Sequence, residues 1–591
     1  MERAAVGFVP AGWARAARMC AEEGCGRPCC AARCARAAAA RPVRMAAGGA
    51  AAENGNGATP PEPAQKTGFR QKLAEQLPTA REAKKLVPLG LMFFMILFNY
   101  TILRDTKDVL VVTAAGAEII PYLKTYCNLP GAILFTVVYS ALSNRVSREN
   151  LFYMCLFPFV AFFLAFGFIM YPNTAALHPV AAVAHFKTLL PAGLQSGLQP
   201  FLAIIENWTF ALFYTLAELW GSVIVSLLFW GFANEITSVK EAEKYYPLFG
   251  LGANVALIFS GQYVRFVSDV RRNLAPGVDG WALSLKYLMS AIGVGGAIIM
   301  GLYKYMQEKV VKNPELVNAK TANKAKKKKP KASLSMVESA KYLASSSYIR
   351  SLAAMVIGYG MSINIVEVTW KSRLRAAFPD PNDYSSFMGN FSTATGSATF
   401  VLMLAGRFIF QKFGWATAAL ITPVVLGITG VMFFALTLFG PQLAPLVQRL
   451  GTTPLMLAVM VGAVQNVMSK GSKYAFFDPC KEMAYIPLDD EQKSKGKAAV
   501  DVIGNPLGKS GGSFIQQVLI FSLGSLAAST PYLAGILMTL VVMWIGAANT
   551  LAKQFKEKQG EMRAEELEEE AILKAEAQSA GGSPAAPRPA T

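Results

Sequence analysis

Four ionisable residues stand inside or directly against long apolar runs: Lys107 in Arg104-Asp105-Thr106-Lys107-Asp108, Glu218 in Leu216-Ala-Glu-Leu-Trp-Gly221, Glu367 in Asn364-Ile-Val-Glu-Val-Thr-Trp370, and Lys509 in Gly504-Asn-Pro-Leu-Gly-Lys-Ser510. A charge at mid-bilayer costs about 2.5 to 3.5 kcal/mol on insertion scales, so each needs a partner, a watered cavity or a ligand. A lysine ammonium is a point charge suited to a phosphate that must also leave. A carboxylate so placed pairs with a cation, accepts hydrogen bonds from a ligand, or holds a proton. For Glu367 an intrahelical pair with Lys371 at i+4 is the plain structural alternative. Arg104 is equally well read as a snorkelling helix end. Together these residues point to transport of something charged.

Gly504 to Ser510 superficially resembles a phosphate-cradling loop. That loop needs four residues between its glycines, whereas here three intervene and one is Pro506, which has no N–H. Nucleotide hydrolysis is therefore rejected. What remains is a glycine-rich helix start where free N–H groups and Lys509 meet an anion, with Gly511 and Gly512 permitting close helix approach. Asn254, in Pro247-Leu-Phe-Gly-Leu-Gly-Ala-Asn254, either reads the edge of a base or bonds between helices. His178 and His185 are too few and too peripheral to suggest a metal, no cofactor is called for, and no aromatic stands out as a base-stacking partner.

The elements that must carry these residues are membrane helices. Of 591 residues, 53% are hydrophobic and only 16% charged, against about a quarter charged in soluble domains. The net charge of +19 suits an anionic substrate or an anionic lipid surface; no nucleic-acid partner is read from it. Apolar spans are predicted near 86–103, 119–141, 151–171, 207–232, 247–267 and 282–303, preceded by a basic approach that includes Lys84 and Lys85. A polar bridge, 304–348, carries Lys324 and Lys326 to Lys329. Further spans are predicted near 350–370, 386–405, 415–440, 453–469, 507–529 and 532–550, then a polar tail from 551 to 591. Even crossings place both termini and the bridge on one side, as the positive-inside tendency favours. Asn99 to Lys107 is echoed by Asn364 to Lys371, and Phe232-Ala-Asn-Glu235 by Phe477 to Glu482. The expected fold is thus an all-α polytopic membrane protein of about 12 transmembrane helices in two six-helix halves, 66–303 and 349–550, major-facilitator-like, with the substrate site between them.

Residues 1–65 are rich in Ala and Arg and poor in acids, with five of the eight cysteines and no continuous apolar core. They resemble an organelle transit peptide and linker, the alternative being a retained tail.

Several stretches resemble the plastid and intracellular-bacterial ATP/ADP translocases: Asn99 to Leu110, Glu218 to Ile236, Tyr246 to Gly261, Ile365 to Trp370, and Phe477 to Gly512. The similarity covers about 85 to 550, with Pro172 to Leu202 expanded and the leader outside the pattern. It implies that two lysines and two glutamates are central to transport, here Lys107, Lys509, Glu218 and Glu367. It also implies exchange of cytosolic ATP for ADP, with or without phosphate, across the plastid inner envelope by alternating access. Proton-coupled net import on the same fold is the alternative. Oligomeric state is left open.

Overall fold

The computed structural model describes residues 80–270, 279–313, 341, 343–500 and 504–580. The expected leader and linker, the bridge lysines and the end of the tail lie outside the described residues. The described chain folds as helices, labelled here α1 (Ala80–Ala115), α2 (Ile119–Ser143), α3 (Arg148–Ala165), α4 (Trp208–Ile236), α5 (Val239–Val270), α6 (Gly280–Val311), α7 (Ser347–Ala377), α8 (Pro381–Leu438), α9 (Pro454–Ser472), α10 (Asn505–Leu523) and α11 (Leu526–Ala580). Among the described residues, eight helices are long and apolar enough to cross a membrane by length and composition. α5, α9 and α10, which coincide with other expected spans, fall short of that measure and carry polar side chains such as Asn254, Gln465, Asn466, Gln516 and Gln517. Buried polar groups of this kind mark helices that face other helices or a cavity rather than lipid.

Three expectations are corrected. The first span does not stop at 103: α1 runs through the charged motif to Ala115, because partners inside the bundle compensate those charges. Arg104 is accordingly not a snorkelling helix end; it bonds Asp105 and Ser392. Lys85, expected in the basic approach before the first span, is instead buried in α1, with its ammonium 2.8 Å from Glu241 of α5. The spans expected at 386–405 and 415–440 are two helical stretches of α8 separated by a kink at Gly414, whose φ of +76° is a left-handed conformation that glycine adopts without strain. The expanded stretch before α4 contains the short helices Val180–Leu189 and Ala192–Glu206.

The chain before the bridge meets the chain after it along seams of differing character. α5 and α8 touch backbone to backbone: a Cβ on Gly261 would come 2.5 Å from the Gly389 carbonyl, and one on Gly396 would come 2.8 Å from that of Asn254. Ser268 bonds Ser385 at 3.0 Å and Gln262 bonds Thr393 at 2.9 Å along the same seam, and beside it Ser284 of α6 bonds Asn382 at 2.7 Å. At the end of the bundle where α1 and α7 finish, Arg375 donates to the Thr113 carbonyl at 3.0 Å. There also Gln517 of α10 donates to Pro121 O at 3.0 Å and to Thr125 Oγ1 at 2.7 Å on α2, and Glu118 accepts from the Leu526 N–H at 2.9 Å. Along α2 itself, residues Ile119 to Leu123 are all buried, while none from Lys124 to Ser143 is.

The α5–α8 contact leaves no space for a methyl group, so Gly261→Ala should lower the melting temperature in detergent by an amount equivalent to about 1–3 kcal/mol. Gly535→Ala, where nothing lies within 4 Å of an added Cβ, should leave it unchanged. Equal effects would contradict this packing.

Candidate functional site

Continuing α1 past residue 103 brings its charged motif against α4, α7 and α8. There an alternating series of charges forms. Glu218 Oε1 lies 2.9 Å from Lys107 Nζ, which lies 2.9 Å from Asp108 Oδ1. Asp108 Oδ2 lies 2.8 Å from Lys371 Nζ, and Lys371 lies 3.3 Å from Glu367 Oε1, which is 3.5 Å from Lys470 on α9. The series runs from α4 through α1 to α7 and α9, so it joins the two halves of the chain.

Its middle is sealed and its ends are accessible. The Lys107, Asp108 and Lys371 side chains are only 3 to 5% exposed, whereas Glu218 is 35% and Glu367 23% exposed. Lys107 lies 4.0 Å above the Tyr214 ring and Lys470 5.1 Å above that of Phe391, so aromatic faces supply further compensation for the cations. Gly221 lets α4 approach this level closely: an added Cβ there would meet the Tyr100 ring at 3.1 Å. Beside the series, Asp105 accepts from Ser392 at 2.6 Å and faces Arg104 at 3.4 Å.

A second approach comes from α2 and α10. Lys124 opens a π-helical turn in α2 and donates to Asn364 Oδ1, and such turns often occur at functional positions. The other end of the same amide donates to the Lys509 carbonyl at 2.9 Å. The α7–α10 approach that sets this distance requires glycine on both helices, since a Cβ on Gly360 would come 2.7 Å from Gly508 and one on Gly512 3.0 Å from Met361 O. Lys124 is within electrostatic reach of Glu367, Lys371, Glu218 and Lys107.

Of the residues singled out from the sequence, Lys107, Glu218 and Glu367 thus join one network. Lys509 is exposed and borders it through Asn364. Asn254 lies elsewhere, on the α5–α8 seam, with its amide nitrogen 3.0 Å from Gly250 O and 3.5 Å from the Met403 sulfur. The Glu367–Lys371 pair exists, but Lys371 also reaches Asp108, so it is no ordinary surface helix pair. Lys124, Asp108 and Lys470 were missed. Lys124 is a lone lysine inside a predicted span and carried a usable signal; Lys470 falls one residue beyond its predicted span, and Asp108 is hidden in a cluster of five polar residues.

Such a site, with several lysine ammonium groups held by carboxylates beside accessible space, suits a multiply charged anion. A family model described as TLC ATP/ADP transporter matches residues 65–555. The chain belongs to that family. It is 58% identical over 490 residues to ADP,ATP carrier protein 1, chloroplastic, of Arabidopsis thaliana, covering 82% of this chain and 76% of that one. It is 52% identical over 477 residues to ADP,ATP carrier protein 1 of Chlamydia trachomatis, covering 80% and 89%. A solved bacterial homologue of the iron transporter ferroportin, in an inward-facing state, aligns over 80% of this chain and 99% of that chain at 12% identity, with a TM-score of 0.49.

Removing Lys107 strips Glu218 of its nearest cation in a mostly buried site. Lys107→Met should therefore destabilise the purified protein by about 3–5 kcal/mol, and adding Glu218→Gln should recover about 1–3 kcal/mol of that in a double-mutant cycle. Strictly additive losses would show that the two groups do not interact.

Proposed function

We propose that this chain is an antiporter that exchanges cytosolic ATP for ADP across a plastid membrane, the inner envelope in particular, by alternating access. The observation that carries this reading is the charge series running from Glu218 to Lys470 across both halves of a member of an ATP/ADP transporter family. A phosphate tail at that series engages lysines of both halves at once, so the loaded carrier differs in free energy from the empty one in each conformation, as transport by population shift requires. Lys107 belongs to the first half, Lys371, Lys470 and Lys509 to the second. Glu218 and Glu367 hold the lysines in place and accept hydrogen bonds from the ribose or base. Phosphate, with the same charge chemistry, is a second candidate cargo.

Support for the plastid comes from the relatives described as chloroplastic and from the Ala- and Arg-rich leader composition of 1–65. The proton-coupled alternative gains no support from relatives whose names pair ADP with ATP.

Proteoliposomes preloaded with ADP should take up labelled ATP, and empty ones should not. Lys509→Ala should cut the initial exchange rate by about tenfold, the effect of about 1.4 kcal/mol. Uptake into empty vesicles that follows a pH gradient would overturn the exchange reading.

A further inference from the structure

We infer that Asp108 is a coupling residue: its carboxylate ties Lys371 to the opposite half of the empty carrier, and a bound polyphosphate takes that lysine over and frees the halves to move. This rests on the exchange reading and gives it a physical cause, namely why an unloaded carrier stays put.

Among the contacts of the charge series, Asp108–Lys371 alone joins the halves. Glu218–Lys107 and Lys107–Asp108 lie within the first half, and Lys371–Glu367 and Glu367–Lys470 within the second. Asp108 uses one oxygen for Lys107 at 2.9 Å and the other for Lys371 at 2.8 Å, so a single carboxylate clamps α1 to α7. This clamp is the inner rung of a ladder. One turn on, toward the end where both helices finish, Arg375 of α7 reaches the Thr113 carbonyl of α1 at 3.0 Å. Gln517 ties α10 to Pro121 and Thr125 of α2 at the same end. The outer rungs are hydrogen bonds to backbone and hydroxyl groups that water can replace; the inner rung is ionic and nearly dry, with Asp108 and Lys371 side chains 3% and 5% exposed.

Charge balance supplies the trigger. Three lysines, Lys107, Lys371 and Lys470, face three carboxylates, Asp108, Glu218 and Glu367. Lys124, within electrostatic reach, and Lys509, which borders the series through Asn364, bring the cations to five against three carboxylates, a small surplus. The phosphates of ADP or ATP bring more negative charge than that surplus absorbs, so a ligand must share lysines that carboxylates now hold. Lys371, though itself buried, is the vulnerable member in this competition, since its second partner Glu367 lies on the accessible side of the series. Once a phosphate has drawn Lys371 away, Asp108 retains only one cation in a buried site. Separation of α1 from α7 admits water to it, so ligand binding and opening of this end stabilise each other.

The test uses proteoliposomes of the full chain loaded with labelled ATP. Wild type should release ATP into ADP-containing buffer but not into nucleotide-free buffer. In Asp108→Asn and in Lys371→Gln, efflux into nucleotide-free buffer, as a share of ADP-driven efflux, should rise about tenfold, within the usual range of coupling effects. If both variants stay as dependent on external ADP as wild type, the inference is wrong. If wild type itself releases ATP without ADP, the exchange reading fails instead. Should neither variant insert in the membrane, Thr113→Cys in an otherwise unchanged charge series decides. ADP should raise its labelling by a membrane-impermeant maleimide applied from the end it faces, and an unchanged rate would overturn the inference.

Discussion

Charge carried into an apolar bundle has to be compensated within that bundle, and this requirement organises the centre of the molecule. α1 does not end where its charges begin because Asp108, Glu218 and Ser392 receive them. α4 contributes a carboxylate, α9 an ammonium and α7 one of each at the matching level. Each lysine in the series is flanked by carboxylates or an aromatic face, and each carboxylate by lysines. Withdrawing any inner member leaves a largely buried neighbour with one partner fewer, and a buried charge that loses a partner is the costly outcome of breaking an ion pair. Lysines held by carboxylates rather than locked into hydrophobic surroundings can exchange those partners for an anion.

The seams between the halves divide the labour. α5 against α8 is held by glycine backbones and serine–serine contacts, a shape-dependent fit that tolerates little change in separation. α1 against α7 and α2 against α10 are held by a buried ion pair, an arginine and glutamine side chains at one end only. In the proposed cycle the first seam serves as the axis about which the halves rock, and the second set makes and breaks. The glycines of α10 contribute in another way. Gly508 and Gly512 bring its backbone against Gly360 and Met361 of α7, which places Lys509 beside the Asn364 amide that also receives Lys124.

Much of this was legible from residue types alone. Long apolar runs announce membrane helices, and the insertion penalty makes any charge within them conspicuous; that is how Lys107, Glu218 and Glu367 were found. Other features could not be read so directly. Whether Arg104 ends a helix or sits inside one depends on whether Asp105 and Ser392 meet it, and Ser392 is almost three hundred residues away. Lys371 looked like one end of an i,i+4 pair because the sequence cannot show that Asp108 approaches it from another helix. Asn254 had two equally good uses in sequence, and packing against Met403 engages its amide on the α5–α8 seam. Local spacing gives the membership of a helix face, whereas the partner across a seam emerges only from the tertiary fold.

The central claim is that nucleotide phosphates replace protein carboxylates as partners of the buried lysines. A cryo-EM structure of the carrier with ADP bound tests it directly. The account predicts phosphate oxygens within hydrogen-bond distance of Lys107 and Lys371, with the Asp108–Lys371 separation lengthened well beyond its present 2.8 Å. Phosphates bound away from both lysines, with that contact intact, would contradict it.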